Sequence, residues 1–116
     1  MQRKFRLTRS TDFKRVRRFG KSYAHPLVVL ITQASDQPRP RVGVAAGRTV
    51  GNAVRRNRAK RLLRAAMQRI LPDIATGYDL LLIARPPLTD STLEETDSAL
   101  RTLLKRANLL TSSNAL

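Results

Sequence analysis

At 116 residues, 41% of them hydrophobic, the chain is long enough for one domain with a single modest core and too short for two. Its formal charge of +15 lies outside the usual range of small-molecule enzymes and points to a polyanionic partner, nucleic acid ahead of an anionic membrane surface. No apolar run reaches the roughly 18 residues of a membrane span, the N-terminus leads into no apolar signal core, and the absence of Cys excludes disulfides and thiolate metal sites. A cytoplasmic, non-membrane setting is therefore expected.

In chain order, residues 1–9 form a basic arm with Arg3, Lys4, Arg6 and Arg9, expected to be flexible. Ser10 or Thr11 then caps a short helix to about Arg18, with Asp12 in its favoured first turn and Gly20 as its C-cap. Phe13 and Val16 give this helix a narrow apolar edge, and Arg15, Arg17 and Arg18 fill the rest. Leu27–Thr32 is short, β-branched and continuous, which predicts a strand buried on both faces. A Pro-containing turn over 34–40 leads to 41–46, expected as the returning strand of a hairpin, with small residues that let a helix approach closely.

The next helix organises the chain. Ala59, Leu62, Leu63, Ala66, Met67 and Ile70 recur at i, i+3, i+4, i+7, i+8 and i+11, an apolar stripe along a helix capped by Asn52 and ended near Pro72. Its far side carries Asn57, Arg58, Lys60, Arg61, Arg64 and Gln68. Arg55, Arg56 and Arg58 crowd the first turns, where the helix dipole favours acids. Ten Arg or Lys residues and no acid lie between Asp36 and Asp73, where a merely solubilising face would mix signs, so this side is expected to dock a polyanion.

Beyond it, 78–84 predicts a central strand stopped by Pro86-Pro87. Ser91 and Glu94 form a capping box for a final helix with Leu93, Leu100, Leu103, Leu104 and Ala107 on its apolar side, and a flexible tail follows from Thr111. The order of elements predicts a single α+β domain over 1–116, a sandwich of helices on a small mixed sheet, with the strand at 41–46, the long helix and the strand at 79–84 as a β-α-β crossover.

No catalytic constellation emerges. The sole histidine, His25, reads as structural, and the acids Asp90, Glu94, Glu95 and Asp97 are explained by a helix N-terminus rather than by Mg²⁺. Gly47–Gly51 lacks the Gly-Lys-Ser/Thr ending of a phosphate-binding loop. Phe13 has two readings, a core anchor for the first helix or a platform on which an unpaired base stacks.

Gly51-Asn52-Ala53-Val54-Arg55-Arg56-Asn57-Arg58-Ala59-Lys60-Arg61-Leu62-Leu63-Arg64 resembles the Arg-Asn-Arg motif of bacterial ribonuclease P protein subunits. Arg6-Leu7, Asp12-Phe13 with Val16, Arg41-Val42-Gly43 and Ile83-Ala84-Arg85 match the same family, so the resemblance spans nearly the whole chain. It implies a left-handed β-α-β crossover, against the usual hand. It also implies a partner, a catalytic RNA that removes the 5′ leader of precursor tRNA, one protein per RNA. RNA contacts then fall on Arg48, Asn52, Arg56, Asn57, Arg58, Lys60, Arg61 and Arg64, and leader contacts on Phe13 and Arg17. Arg17 stands where many members carry a second aromatic, a place that Phe19 is a candidate to fill. The resemblance places Mg²⁺ on the RNA, leaving no catalytic or metal-binding residue in the protein. A basic ribosomal protein, or another general RNA binder, is the alternative; a free-standing nuclease and a membrane-surface helix fit the residues less well.

Overall fold

The computed structural model describes residues 1–111. Strands β1 (Lys21–Ala24), β2 (Val28–Ala34), β3 (Arg41–Ala45) and β4 (Tyr78–Ala84) form one sheet in the order β1-β2-β4-β3, covered by helices α1 (Ser10–Phe19), α2 (Ala53–Ile70) and α3 (Leu93–Arg106). The expected α+β architecture with a mixed sheet is what forms. Period-2 alternation sends Val28, Leu30, Val42, Val44, Leu80 and Leu82 to the side of α2 and α3, where they meet Leu63, Met67, Ile70, Leu100, Leu103 and Leu104 in the main core. Ile31 and Leu81 point the other way, into a smaller cluster with Leu7 and Val16 beneath α1. The sheet is thus sandwiched, with one helix on one face and two on the other.

The hairpin expected between β2 and β3 does not form. β4 lies between them, antiparallel to β2 from Val28↔Ala84 to Ala34↔Tyr78 and parallel to β3 from Arg41↔Asp79 to Ala45↔Ile83. The reason is burial: β4 is apolar on both faces, so its backbone must find partners on both sides. Parallel pairing of β3 with β4 in turn needs a long crossover, which α2 supplies as expected. The hairpin that does form joins β1 to β2. β1 went unanticipated because Lys-Ser-Tyr-Ala is a short, largely exposed edge with little apolar signal.

Of three end signals, two differ from expectation. The N-cap of α1 is Arg9, with no side-chain capping bond, rather than Ser10 or Thr11. Gly20 is the C-cap of α1 as expected, in an extended conformation (φ −81°), and its value is space: a Cβ there would come within 2.5 Å of the Val16 carbonyl and 2.6 Å of Ile31 Cγ2. The capping box of α3 is Thr92 with Glu95, one residue later than Ser91 with Glu94. Ser91 is buried instead, its Oγ donating to the Leu88 carbonyl at 2.7 Å. The far end of α3 closes with Asn108 at φ 62° and Leu109 N–H returning to the Leu104 carbonyl, a helix stop that seats Leu109 in the core.

The basic arm is laid on the body. Leu7 is buried, its N–H donates to the Val42 carbonyl at 2.8 Å, and Arg6 bridges to Val42, which covers the free edge of β3. At the other terminus Thr111 N–H donates to the Asp73 carbonyl at 2.7 Å, and the rest of the expected flexible tail, 112–116, lies outside the described residues.

Candidate nucleic-acid interface

The interface begins where the chain turns into α2. Gly51 takes φ 133°, open to glycine and strained for other residues, and Asn52 caps the helix by accepting from the Arg55 N–H at 3.0 Å. Asn52, also expected to contact RNA, thus commits its side-chain oxygen to the expected cap and keeps its amide NH₂ as a donor. α2 buries Ala59, Leu63, Ala66, Met67 and Ile70 as the apolar stripe predicts, with Leu62 half-buried at its margin.

Asn57, Lys60, Arg61, Arg64 and Gln68 stand at i, i+3, i+4, i+7 and i+11, so they share the opposite face. Lys60, Arg61 and Arg64 have no acidic partner within 4 Å among the described residues, nor does Arg48 in the turn before the helix. Val54, 72% exposed, opens this face with an apolar patch.

Arg56 and Arg58 are placed differently from the rest of the expected set. Arg56 Nε donates to the Gly51 carbonyl at 3.0 Å, and Arg58 Nε to the Thr89 carbonyl at 2.8 Å. The cations crowded against the helix dipole are thus partly accounted for by carbonyls close to them, a partner that a one-dimensional reading of charge does not reveal.

On the other face of the sheet, Phe13 lies half-buried against Gly43, whose lack of a side chain admits it: a Cβ there would fall 2.7 Å from Phe13 Cζ. The same ring lines a hollow of about 420 Å³ with Thr8, Lys14 and Arg17. Both readings of Phe13 are thus accommodated, since one part of the ring is packed and another is accessible. Arg17 is exposed beside it. Phe19 is not among the residues lining the hollow; it is 66% exposed at the end of α1, with the Arg18 guanidinium 5.2 Å from its ring centre. Val29, Ala45 and Ile83, adjacent by strand register, form a half-buried apolar row on this face. A second cavity, about 190 Å³, is lined by Phe13, Thr8 and Leu7 on one side and by Arg64 of α2 on the other. Arg64 also lines a broad groove with Arg61 and Gln68. The Phe13 hollow and the cationic face of α2 are therefore linked around the edge of β3.

One structural device escaped the sequence reading. Asp79, with none of its surface exposed, receives Arg15 Nη2 at 2.7 Å and a two-pronged contact from Arg41, Nε to Oδ1 at 3.0 Å and Nη2 to Oδ2 at 2.9 Å. Arg15 also reaches Asp12 and Gln33, so α1 is clamped to the sheet through its middle, two residues from Phe13. The hydrogen bonds to Asp79 hold both guanidinium pKa values above their ordinary range. An Asp flanked by apolar residues in a central strand was the available signal. His25 is occupied in the β1–β2 turn, its Nδ1 accepting from the Leu27 N–H at 3.1 Å, and Glu95 is occupied by its capping box.

Comparison with known proteins decides what this surface belongs to. The family model described as ribonuclease P matches residues 1–108. This chain belongs to the ribonuclease P protein family. The chain is 38% identical over 109 residues to the ribonuclease P protein component of an Exiguobacterium species, covering 94% of this chain and 95% of that one. It is 39% identical over 111 residues to that of Brevibacillus brevis, covering 95% and 88%. The RNase P protein of Staphylococcus aureus superposes with a TM-score of 0.81 at 30% identity over 91% of this chain and 97% of that one, and that of Thermotoga maritima with 0.78 at 30% over 87% and 96%. Membership places the chain in a ribonucleoprotein nuclease of tRNA processing. No helix among the described residues is long and apolar enough to cross a membrane.

Proposed function

We propose that this chain docks on the ribonuclease P RNA through Arg48, Asn52, Arg56, Asn57, Arg58, Lys60, Arg61 and Arg64, and holds the single-stranded leader of precursor tRNA at Phe13 and Arg17. One protein serves one RNA in this reading, and the leader is cut off as the tRNA 5′ end matures. The observation that carries it is the cavity shared by Phe13 and Arg64, which links a stacking site to an uncompensated cationic face. A general RNA binder needs the cations alone; a protein that must hold a catalytic RNA and its substrate together needs both sites and a connection between them. Arg17 then contributes charge beside the stacked base rather than a second ring.

Mg²⁺, in this reading, is carried by the RNA, where it supplies the activated water. The protein contributes electrostatics. Its cations offset phosphate repulsion as RNA and substrate approach, and a stacked leader adds affinity that mature tRNA cannot gain. The test is reconstitution of the full chain with a ribonuclease P RNA transcript and a labelled precursor tRNA. The protein should lower the Mg²⁺ needed for cleavage, most visibly at low ionic strength. Cosedimentation with ribosomal subunits, and no effect on cleavage, would favour the ribosomal alternative.

A further inference from the structure

The entrance to α2 holds more order than a patch of surface charge requires. Three carbonyls are left without helix partners where the chain turns, those of Val50 and Gly51 before α2 and that of Thr89 in the turn Pro86–Asp90, and each receives the Nε of one arginine. Arg55 Nε donates to Val50 at 3.3 Å, Arg56 Nε to Gly51 at 3.0 Å and Arg58 Nε to Thr89 at 2.8 Å. Arg55 continues further, its Nη2 donating to the Thr89 hydroxyl, which in turn donates to the Pro86 carbonyl at 3.3 Å. Thr89 is only 3% exposed. Gly51 makes room for this arrangement, since a Cβ there would fall 2.7 Å from Arg55 Cδ. By contrast Lys60, Arg61 and Arg64, further along α2, make no hydrogen bond through their side chains among the described residues.

An arginine tethered through Nε keeps both terminal nitrogens available, now in a fixed plane. A planar fork of that kind recognises a phosphate through two parallel bonds, and a lysine cannot hold the carbonyl and the phosphate together. We propose that Arg56 and Arg58 meet the RNA as pre-set forks, and that Thr89 and Arg55 are positioning residues that set them. This rests on the docking role proposed above. Within α2 it divides the labour: the first two turns act by geometry, and Lys60, Arg61 and Arg64 by charge. Pre-setting spares the ordering of a long side chain on binding, and that saving is available only where the target phosphates are themselves fixed, as in a folded RNA. A flexible strand can adapt to whatever the side chains offer.

The experiment is a salt titration of binding by the full chain. The probes are a ribonuclease P RNA transcript, an unrelated structured RNA of equal length and poly(U). The variants are Arg58→Lys, Thr89→Val and Thr89→Ser, with Arg61→Lys as the charge-only comparison. Arg58→Lys and Thr89→Val should each weaken binding to the ribonuclease P RNA about tenfold, with poly(U) affinity and the salt slope unchanged because no charge is lost. Thr89→Ser should restore the loss, and Arg61→Lys should lose less than Arg58→Lys. Equal losses for Arg58→Lys and Arg61→Lys, or parallel losses on poly(U), would overturn the proposal and leave the docking role intact. A loss for Thr89→Val that follows a lowered melting temperature would also overturn the Thr89 part, and Arg58→Lys, on an exposed side chain, then decides the forks alone. If the wild-type chain binds the ribonuclease P RNA no better than the unrelated RNA, the docking role itself fails.

Discussion

On the face of the sheet covered by α2 and α3, two helices enclose a continuous apolar core that includes Leu63, Met67, Leu80, Leu82, Leu100 and Leu104. On the other face a single short helix closes a cluster of only four buried residues, is clamped through Arg15 to Asp79 and leaves a half-open hollow beside Phe13. The first arrangement gains stability from area removed from water. The second holds α1 mainly by directed polar contacts, which leave apolar surface unspent and available to a ligand. The two faces thus separate folding from binding, and substitutions on them should differ in what they break.

The largest effect is expected from the thick core. Leu63 is fully buried mid-stripe, so Leu63→Ala should cost about 2–5 kcal/mol through lost transfer energy and a residual cavity. That is a large fraction of the total for a domain of this size. Chemical denaturation of the variant checks it; unchanged stability would mean that the thick core does not carry the fold.

Asp79→Ala comes next, at roughly 3 kcal/mol, the low end for breaking a buried ion pair because Arg15 and Arg41 both reach solvent and can rehydrate. Because Asp79 holds α1, this variant should also loosen the Phe13 hollow. Hydrogen exchange should show α1 opening ahead of α2. A uniform loss across both helices would deny the thin face its separate standing.

Much of this division was legible in the sequence. The stripe from Ala59 to Ile70 predicted the buried side of α2, and the cations at 60, 61 and 64, with Asn57, its far side, because a helix converts spacing into direction. Strand order was not legible. Nothing in the residues at 28–34 and 41–45 says that β4 will come between them, since the choice depends on which strand most needs two neighbours. The capping box was missed by one residue because Ser91 and Thr92 each precede a Glu by three, and burial of Ser91 decides between them. The roles of Arg56 and Arg58 were only half legible: composition shows their charge, but the carbonyls that hold their Nε atoms are brought close by folding, one of them from more than thirty positions away.

The thin face should show itself in substrate discrimination. Phe13→Ala should weaken binding of precursor tRNA to the reconstituted holoenzyme by roughly 1–3 kcal/mol, the value of one lost base stack, with a smaller effect on mature tRNA. Equal weakening for both, or a fall in stability like that of Leu63→Ala, would return Phe13 to the core. On the exposed side of α2, Arg61→Ala should leave stability unchanged and lower the slope of log affinity against log salt by about one, as expected for one lost phosphate contact. A fall in melting temperature at an unchanged slope would assign Arg61 to structure.

The smallest effects are expected where neither face is touched. His25→Ala removes an imidazole that accepts a turn N–H, Glu94→Gln removes one charge from an exposed side chain, and Glu95→Gln keeps the oxygen that caps α3. If the chain contributes stacking and charge, and the RNA the chemistry, none of these groups transfers a proton or holds a metal during cleavage. Single-turnover cleavage of precursor tRNA by each reconstituted variant, followed across a Mg²⁺ titration, should then stay within about twofold of wild type, on the scale where removing a general acid or base costs about 10²–10⁴-fold. The titration separates two kinds of loss. A deficit that extra Mg²⁺ repairs is one of charge, and belongs with the docking face. A deficit that persists at saturating Mg²⁺, with RNA and substrate binding intact, would put a reacting group on the protein and overturn the assignment of the chemistry to the RNA.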